Sequence, residues 1–431
     1  MTQHLLWDKS QVKLEKYTIG SYYFPYMSGL ILQRTLESQL ARQAGTYKVV
    51  TILGPRQAGK STTATKVFKE YNYVNLEDFS IYQEATEDPK GFLINHPSPL
   101  IIDEIQKCPE LLGQVQVNAD KNDESGQFIL TGSAQINLRG SISQSLAGRT
   151  AVSALLPLSL AELGEAGIKL ERNEQLLTGF MPEIYRKGNI PPAEYYQNYK
   201  LNYLEKDIRD MRSFRNLRGF HIFLDALSGR AGQVLNNTAV SKLVGVSSTT
   251  IADWISLLET TYIIYLLPAW GPNSGRQAVK SPKLYFIEPG LLSSFARATT
   301  PSDFAIHYLT GAIFENMVVI EALKSRYNSA SLPNLYFYRD SKGVEIDLML
   351  ARANNRFDLF EIKAAYSVAS DQTCNMRRFA SLYPKLDITM NVIYSGETLP
   401  EPVNGVRYHN YRDIAPIFKG EELYIPSFTR K

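Results

Sequence analysis

Gly54-Pro55-Arg56-Gln57-Ala58-Gly59-Lys60-Ser61, with Thr62 behind it, decides how the first third of this chain folds. It follows Lys48-Val49-Val50-Thr51-Ile52-Leu53, a β-branched apolar run of the kind that makes a buried parallel strand. After it, Ser61 to Tyr71 reads as a helix. Strand, G-x-x-x-x-G-K-[ST] loop and helix in that order form a phosphate-binding loop. The glycines let the backbone N–H groups wrap a phosphate chain, and the helix N-terminus adds positive potential. Lys60 is expected to reach the β/γ-phosphates and the Ser61 hydroxyl to ligate Mg²⁺. All nine residues from Gly54 to Thr62 are assigned to binding, with ATP and Mg²⁺ as the expected ligands.

A second strand completes the pattern. Pro99-Leu100-Ile101-Ile102 is apolar and ends in Asp103 and Glu104. An acidic pair on an exposed helix signals only solvation, but at the end of a buried strand it has a chemical use. Asp103 is placed to hold Mg²⁺, directly or through water, and Glu104 to polarise the water that attacks the γ-phosphate. Tyr73-Val74-Asn75 lies between these strands in sequence, and Gln127 to Thr131 follows them, with helical stretches alternating throughout. That alternation predicts a parallel sheet with helices on both faces. At the end of the last strand, Thr131 or Ser133 could sense the γ-phosphate or position water; a turn hydroxyl capping the next segment is the equal alternative.

The bulk numbers bound the rest. At 431 residues the chain is expected to hold several domains, and 44% hydrophobic with 21% charged residues excludes disorder and fibrous repeats. A net charge of +3 over this length means that a polyanion would have to meet a local patch. The 26 Tyr and 19 Phe read as core aromatics. Two cysteines, Cys108 and Cys374, give neither a disulfide framework nor a zinc spacing. With no signal-like or membrane-length apolar run, a cytoplasmic protein with no membrane partner is expected.

The segments GPRQAGKST, LIIDEIQKCPELL, FILTGSA, SLAGRT and LLPLSLAEL together resemble the AAA+-superfamily ATPases of bacteria and archaea that carry a C-terminal domain of unknown function. The resemblance runs through residues 31–165. It implies a role for Arg149, in SLAGR, as an arginine finger or trans sensor; the alternative is a surface arginine before a strand.

From Leu170 to Arg218 the pattern turns helical, and Tyr203, Leu204, Asp207 and Ile208 match a recurrent helix of that family, read as packing. Thr238 to Leu243 and Ser248 to Leu258 read as two helices across a tight turn, with Ser247 as the second helix's cap. Tyr262 to Leu267 and Lys283 to Phe286 could add a wing. The second helix offers Ser248, Thr249, Thr250 and Asp253, not base-reading side chains, so a winged helix used for protein packing or weak backbone contact is expected. Arg276, Lys280 and Lys283 keep DNA open as a partner.

Near the C-terminus, Tyr336 to Arg339, Val344 to Ala351 and Phe357 to Lys363 are strand candidates. They carry Asp347 and then Glu361-x-Lys363, the D…ExK order of PD-(D/E)XK nucleases. Adjacent strands would bring Asp347 and Glu361 together as Mg²⁺ ligands, with Lys363 on the same face as Glu361. Glu315, in a helix around Gly311 to Asn316, could complete the cage. Three converging carboxylates would then need a divalent cation to stay ionised together. The resemblance extends here through KSPKLYF, FEN, GVEIDLML and FEIKAA, with Glu288 where the family more often has Asp.

The expected fold class is α/β: an N-terminal P-loop NTPase parallel sheet with flanking helices, a middle helical and winged-helix region, and a C-terminal α/β nuclease-like domain. The divisions are 1–30 as an extension, 31–165, 166–270 and 271–431. Two functions are carried forward. One is an ATPase coupled to a nucleic-acid-binding or nuclease-like module. The other is a slow ATP-dependent switch acting on a protein partner or through a homo-oligomer, with an inactive C-terminal domain.

Overall fold

β1 (Val49–Leu53) is buried at every residue, as its composition requires, and its neighbours are chosen by parallel register. In the computed structural model, which describes residues 32–133, 142, 145–204, 216–271, 280–368 and 373–421, five strands form a parallel sheet. The expected N-terminal extension, Asp207, Ile208 and Arg276, and the side chains of Tyr203 and Leu204, lie outside the described residues. The other strands are β2 (Asn72–Asn75), β3 (Leu100–Asp103), β4 (Phe128–Gly132) and β5 (Thr150–Ala154), in spatial order β2-β3-β4-β1-β5. So β4 separates the strand before the phosphate loop from the strand bearing Asp103, whereas β2 sits at the edge.

Side chains alternate across this sheet. Val50, Ile52, Ile101 and Ile129 pack on one side with Leu36, Leu40, Ala64 and Phe68. Val49, Leu53, Leu100, Ile102, Phe128 and Leu130 pack on the other, under helices Pro89–Asn95 and Leu111–Ala119. Each fully buried aliphatic side chain contributes roughly 2 kcal/mol of transfer free energy, so both faces are covered by necessity.

The middle region begins with four short helices, Leu160–Glu165, Arg172–Thr178, Pro182–Lys187 and Pro192–Tyr199. Next come helices Leu217–Ser228, Asn237–Val244 and Ser248–Thr260, and the antiparallel pair β6 (Ile264–Leu267) and β7 (Lys283–Phe286). Gly245, at φ 79, closes helix Asn237–Val244, and the Ser247 hydroxyl accepts the Thr250 N–H to cap the next helix. Ile251, Trp254, Ile255, Leu257 and Leu258 of that helix are buried; Phe220 and Phe223 pack their rings on Trp254.

The C-terminal region is a second five-stranded sheet in the order β12-β11-β10-β9-β8. Its strands are β8 (Leu335–Arg339), β9 (Glu345–Ala351), β10 (Arg356–Lys363), β11 (Asp387–Tyr394) and β12 (Val406–Asn410). β8, β9 and β10 run antiparallel, and β10, β11 and β12 parallel. Helix Thr310–Asn328 buries residues around its whole circumference, which is the mark of a core helix. Among the described residues no helix is long and apolar enough to cross a membrane.

Candidate nucleotide site and C-terminal acidic cluster

Two glycines shape the phosphate loop. A Cβ on Gly54 would collide with the Leu155 carbonyl oxygen of the neighbouring chain segment. Gly59 sits at φ 92 and opens helix Lys60–Val67. Lys60 is 5% exposed and donates to the Pro55 carbonyl at 2.9 Å, curled back over its own loop. The Ser61 hydroxyl donates to Asp103 Oδ1 at 2.9 Å, so the two expected Mg²⁺ groups already meet between helix Lys60–Val67 and the end of β3. Thr131 also donates to Asp103 Oδ1, and its hydroxyl accepts the Glu104 N–H at 3.4 Å. Ser133 is buried two residues further on. Glu104 stands at φ 59, a left-handed conformation that turns it off the strand end, and its Oε2 accepts from Gln106.

Lys60, Ser61 and Glu104 line a pocket of ≈ 280 Å³ together with Leu158, Pro182 and Arg186, among others. Thr62 and Gln57 also line it, and the Gln57 amide accepts from Tyr195 at 2.6 Å. Arg56 points to Glu77, 3.9 Å away.

Several residues of the site come from segments the motif does not reach. Arg34 is 5% exposed and donates to the Ala58 carbonyl of the phosphate loop at 2.8 Å and to the Leu156 carbonyl at 2.6 Å. Tyr73 donates to Asp103 Oδ2 at 2.7 Å; burial, with Asp103 beside it, raises its phenol above the ordinary range. Arg186 lies at the pocket mouth, paired with Glu183 at 2.8 Å.

Arg149 is elsewhere. Its guanidinium makes a two-pronged pair with Asp120 at 2.7 and 2.8 Å. Its carbonyl accepts from Val49, the first residue of β1, while the phosphate loop leaves β1 after Leu53. At about 3.3 Å per strand residue the two ends are on the order of 15 Å apart, so Arg149 does not serve the phosphate loop of its own chain.

The C-terminal carboxylates do converge. The register of β9 and β10 pairs Leu348 with Phe360, and the next pair along is Asp347 with Glu361. Asp347 accepts the Ile362 N–H at 2.9 Å. Lys363 meets Glu361 at 2.6 Å, and the other Glu361 oxygen is buried with no hydrogen-bond partner. Burial, opposed by Lys283 and reinforced by Asp347, pushes Glu315 up to about 7. Burial and Asp347 push Glu361 up to about 7 as well.

Lys283 changes the reading of this cluster. Expected on an exposed wing, it is 2% exposed and lies 2.8 Å from Glu345 and 3.5 Å from Glu315. Burial pulls its ammonium down, but Glu315, Asp347 and Glu345 outweigh that and leave it above its usual value. Tyr285, two residues on and on the same face, donates to Glu315 at 2.7 Å. Lys283 and Lys363 thus supply positive charge to the cluster from within the fold. Among the described residues no group of three His, Cys, Asp or Glu side chains is disposed to hold a metal ion. Glu288 caps helix Pro289–Phe295 and also accepts from Phe180 N–H and Tyr196, each at 2.9 Å, spans that fit the longer side chain.

Residues 46–164 match the family model described as AAA domain. Residues 170–302 and 310–411 match two models described as domains of unknown function, DUF8612 and DUF4143. An uncharacterized protein of Mycobacterium tuberculosis is 25% identical over 374 residues, 82% of this chain and 80% of the relative. One of Haemophilus influenzae is 25% identical over 396 residues, 84% of this chain and 93% of the relative. Among solved structures, a Walker-type ATPase of Pyrococcus abyssi covers 60% of this chain and 94% of its own, at 14% identity and a TM-score of 0.41. The Holliday junction branch migration motor of Thermotoga maritima covers 54% and 86%, at 18% identity and a TM-score of 0.27. Over residues 46–164 the chain is thus similar to AAA domains, with a P-loop of the ATP-binding kind.

Proposed function

We propose that this protein is a Mg²⁺-dependent ATPase whose nucleotide state is passed to a C-terminal nucleic-acid-binding or nuclease-like module. The observation that supports it is that Lys60, Ser61 and Glu104 line one pocket, with Asp103 bonded to Ser61 and Thr131 to Asp103. Ser61 and Asp103 would hold Mg²⁺, which when bound neutralises charge on the β- and γ-phosphates. Lys60 would exchange its contact with the Pro55 carbonyl for the phosphates. Glu104 would orient the attacking water, and Thr131 fixes the carboxylate of Asp103. In this reading 31–165 is the ATPase domain, 166–270 a helical lid and winged helix, and 271–431 a PD-(D/E)XK-like domain, with the β6–β7 hairpin bridging the last boundary.

A second reading, an ATP-dependent switch for a protein partner with an inactive C-terminal domain, is favoured by the ammonium of Lys283 inside the acidic cluster. The exposed side of helix Ser248–Thr260, with Asp253 and Glu259, also argues against major-groove contact. Titration calorimetry and steady-state hydrolysis test the ATPase. Lys60→Ala should abolish tight ATP binding, and Glu104→Gln should keep binding while losing turnover. Equal ATP affinity of Lys60→Ala and the parent would sink the assignment. Nicking of plasmid DNA by the full chain with ATP and Mg²⁺ would decide for the first reading over the second.

A further inference from the structure

Four buried charges lie between the phosphate loop and helix Thr310–Asn328. Arg34, Glu162, Glu321 and Lys324 are 5%, 1%, 4% and 1% exposed. Arg34 holds the Ala58 carbonyl of the loop and meets Glu162 at 3.2 Å. Glu162 in turn accepts from the N–H groups of Thr35 at 2.7 Å and Ser159 at 2.9 Å. On the other side, Glu321 accepts the Leu160 N–H at 2.8 Å and pairs with Lys324 at 2.7 Å. Lys324 donates to the Leu158 carbonyl at 2.7 Å and lies 3.6 Å above the Phe180 ring. The turn from Leu158 to Leu160 is thus gripped from both directions, and the Leu158 side chain lines the nucleotide pocket.

Burying four charges carries a desolvation cost that well-packed apolar residues would avoid, so the arrangement calls for a use beyond stability. We propose that Glu321 and Lys324, although they belong to the C-terminal region, are positioning residues of the nucleotide site. They fix the 158–160 turn and, through Glu162 and Arg34, the carbonyl of Ala58. With that carbonyl held outward by Arg34, the loop is set for its amides to face phosphate. The same helix carries Glu315, six and nine residues before the two, which is about 9 and 14 Å at 1.5 Å per residue. The nucleotide and the acidic cluster therefore bias one rigid element from its two ends. Because affinity coupling is reciprocal, nucleotide must stabilise this helix as much as the helix favours nucleotide.

The inference rests on the nucleotide reading of the pocket, and the experiment separates the two. Hydrogen exchange of the unmodified full chain is followed with and without Mg²⁺ and a non-hydrolysable ATP analogue. The expected result is slower exchange both in 54–62 and in 316–326. Protection of 54–62 alone overturns the proposal; protection of neither overturns the nucleotide reading and this inference with it. Glu321→Gln keeps an acceptor for the Leu160 N–H but removes the charge that faces Lys324. It should raise the KM for ATP about tenfold while kcat moves less than about twofold, and should abolish the protection of 316–326. An unchanged KM, or a loss of kcat alone, would count against it.

Discussion

Glu315 and Glu361 expose the cost of their placement through pH. Each has a folded value of about 7 against an ordinary 4.5, so between those values the folded chain holds more protons than the unfolded chain. Stability from these groups is therefore full below about pH 4.5 and is lost as pH rises through 7, on the order of 1 to 3 kcal/mol for the two together. Denaturant unfolding of the full chain between pH 5 and 7.5 should show a falling slope that Glu315→Gln flattens; an identical slope in the variant would refute the sign. At this scale the sequence revealed groups that lie in one continuous motif, such as Lys60 and Ser61, or at a strand end, such as Asp103 and Glu104. Arg34, Tyr73 and Gln106 escaped because only tertiary contact brings them there. Lys283 was misread for a related reason. Strand alternation with Leu284 and Phe286 puts it on the opposite face from them, and a polar residue there ordinarily meets water. Here that face meets Glu315 and Glu345.

Whole elements follow the same division between local and distant causes. The pair Asn237–Val244 and Ser248–Thr260 was legible because its signals are local: Gly245 to stop, Ser247 to cap, and an apolar stripe of helical period. Ser247→Ala should destabilise the chain by about 1 kcal/mol, seen as a lower denaturant midpoint, with ATP affinity unchanged. No loss of stability would mean that the Thr250 N–H finds another acceptor. Helix Thr310–Asn328 was recognised only around its first turns. With Val318, Val319, Ile320, Ala322 and Leu323 all buried, it shows no amphipathic period to follow. β11 and β12 passed unassigned, since such runs gain their strand character from the neighbours they pair with.

At the scale of the molecule, Arg149 decides between a solitary and an assembled ATPase. It immediately precedes the edge strand β5, at the end remote from its own phosphate loop, paired with Asp120 and partly exposed. An arginine so placed can reach a γ-phosphate only in a neighbouring copy. Mixing Arg149→Ala with Lys60→Ala protein should restore part of the hydrolysis rate, because one mixed interface keeps both groups intact. No recovery in a mixture shown to assemble by light scattering would leave Arg149 a structural partner of Asp120. The three-part plan was readable from composition and motif order. What could not be read was how the parts adhere, because those contacts join residues more than a hundred positions apart, as Leu160 to Glu321.

β7 illustrates what that adhesion entails. Its backbone completes the hairpin with β6, its Lys283 and Tyr285 enter the acidic cluster, and beside the hairpin Trp270 packs on Tyr338, Phe357, Phe379 and Tyr383. A gene cut at residue 271 would part β7 from β6 and Trp270 from its four rings, leaving neither half with a finished surface. A fragment meant to carry the C-terminal sheet must therefore begin ahead of β6.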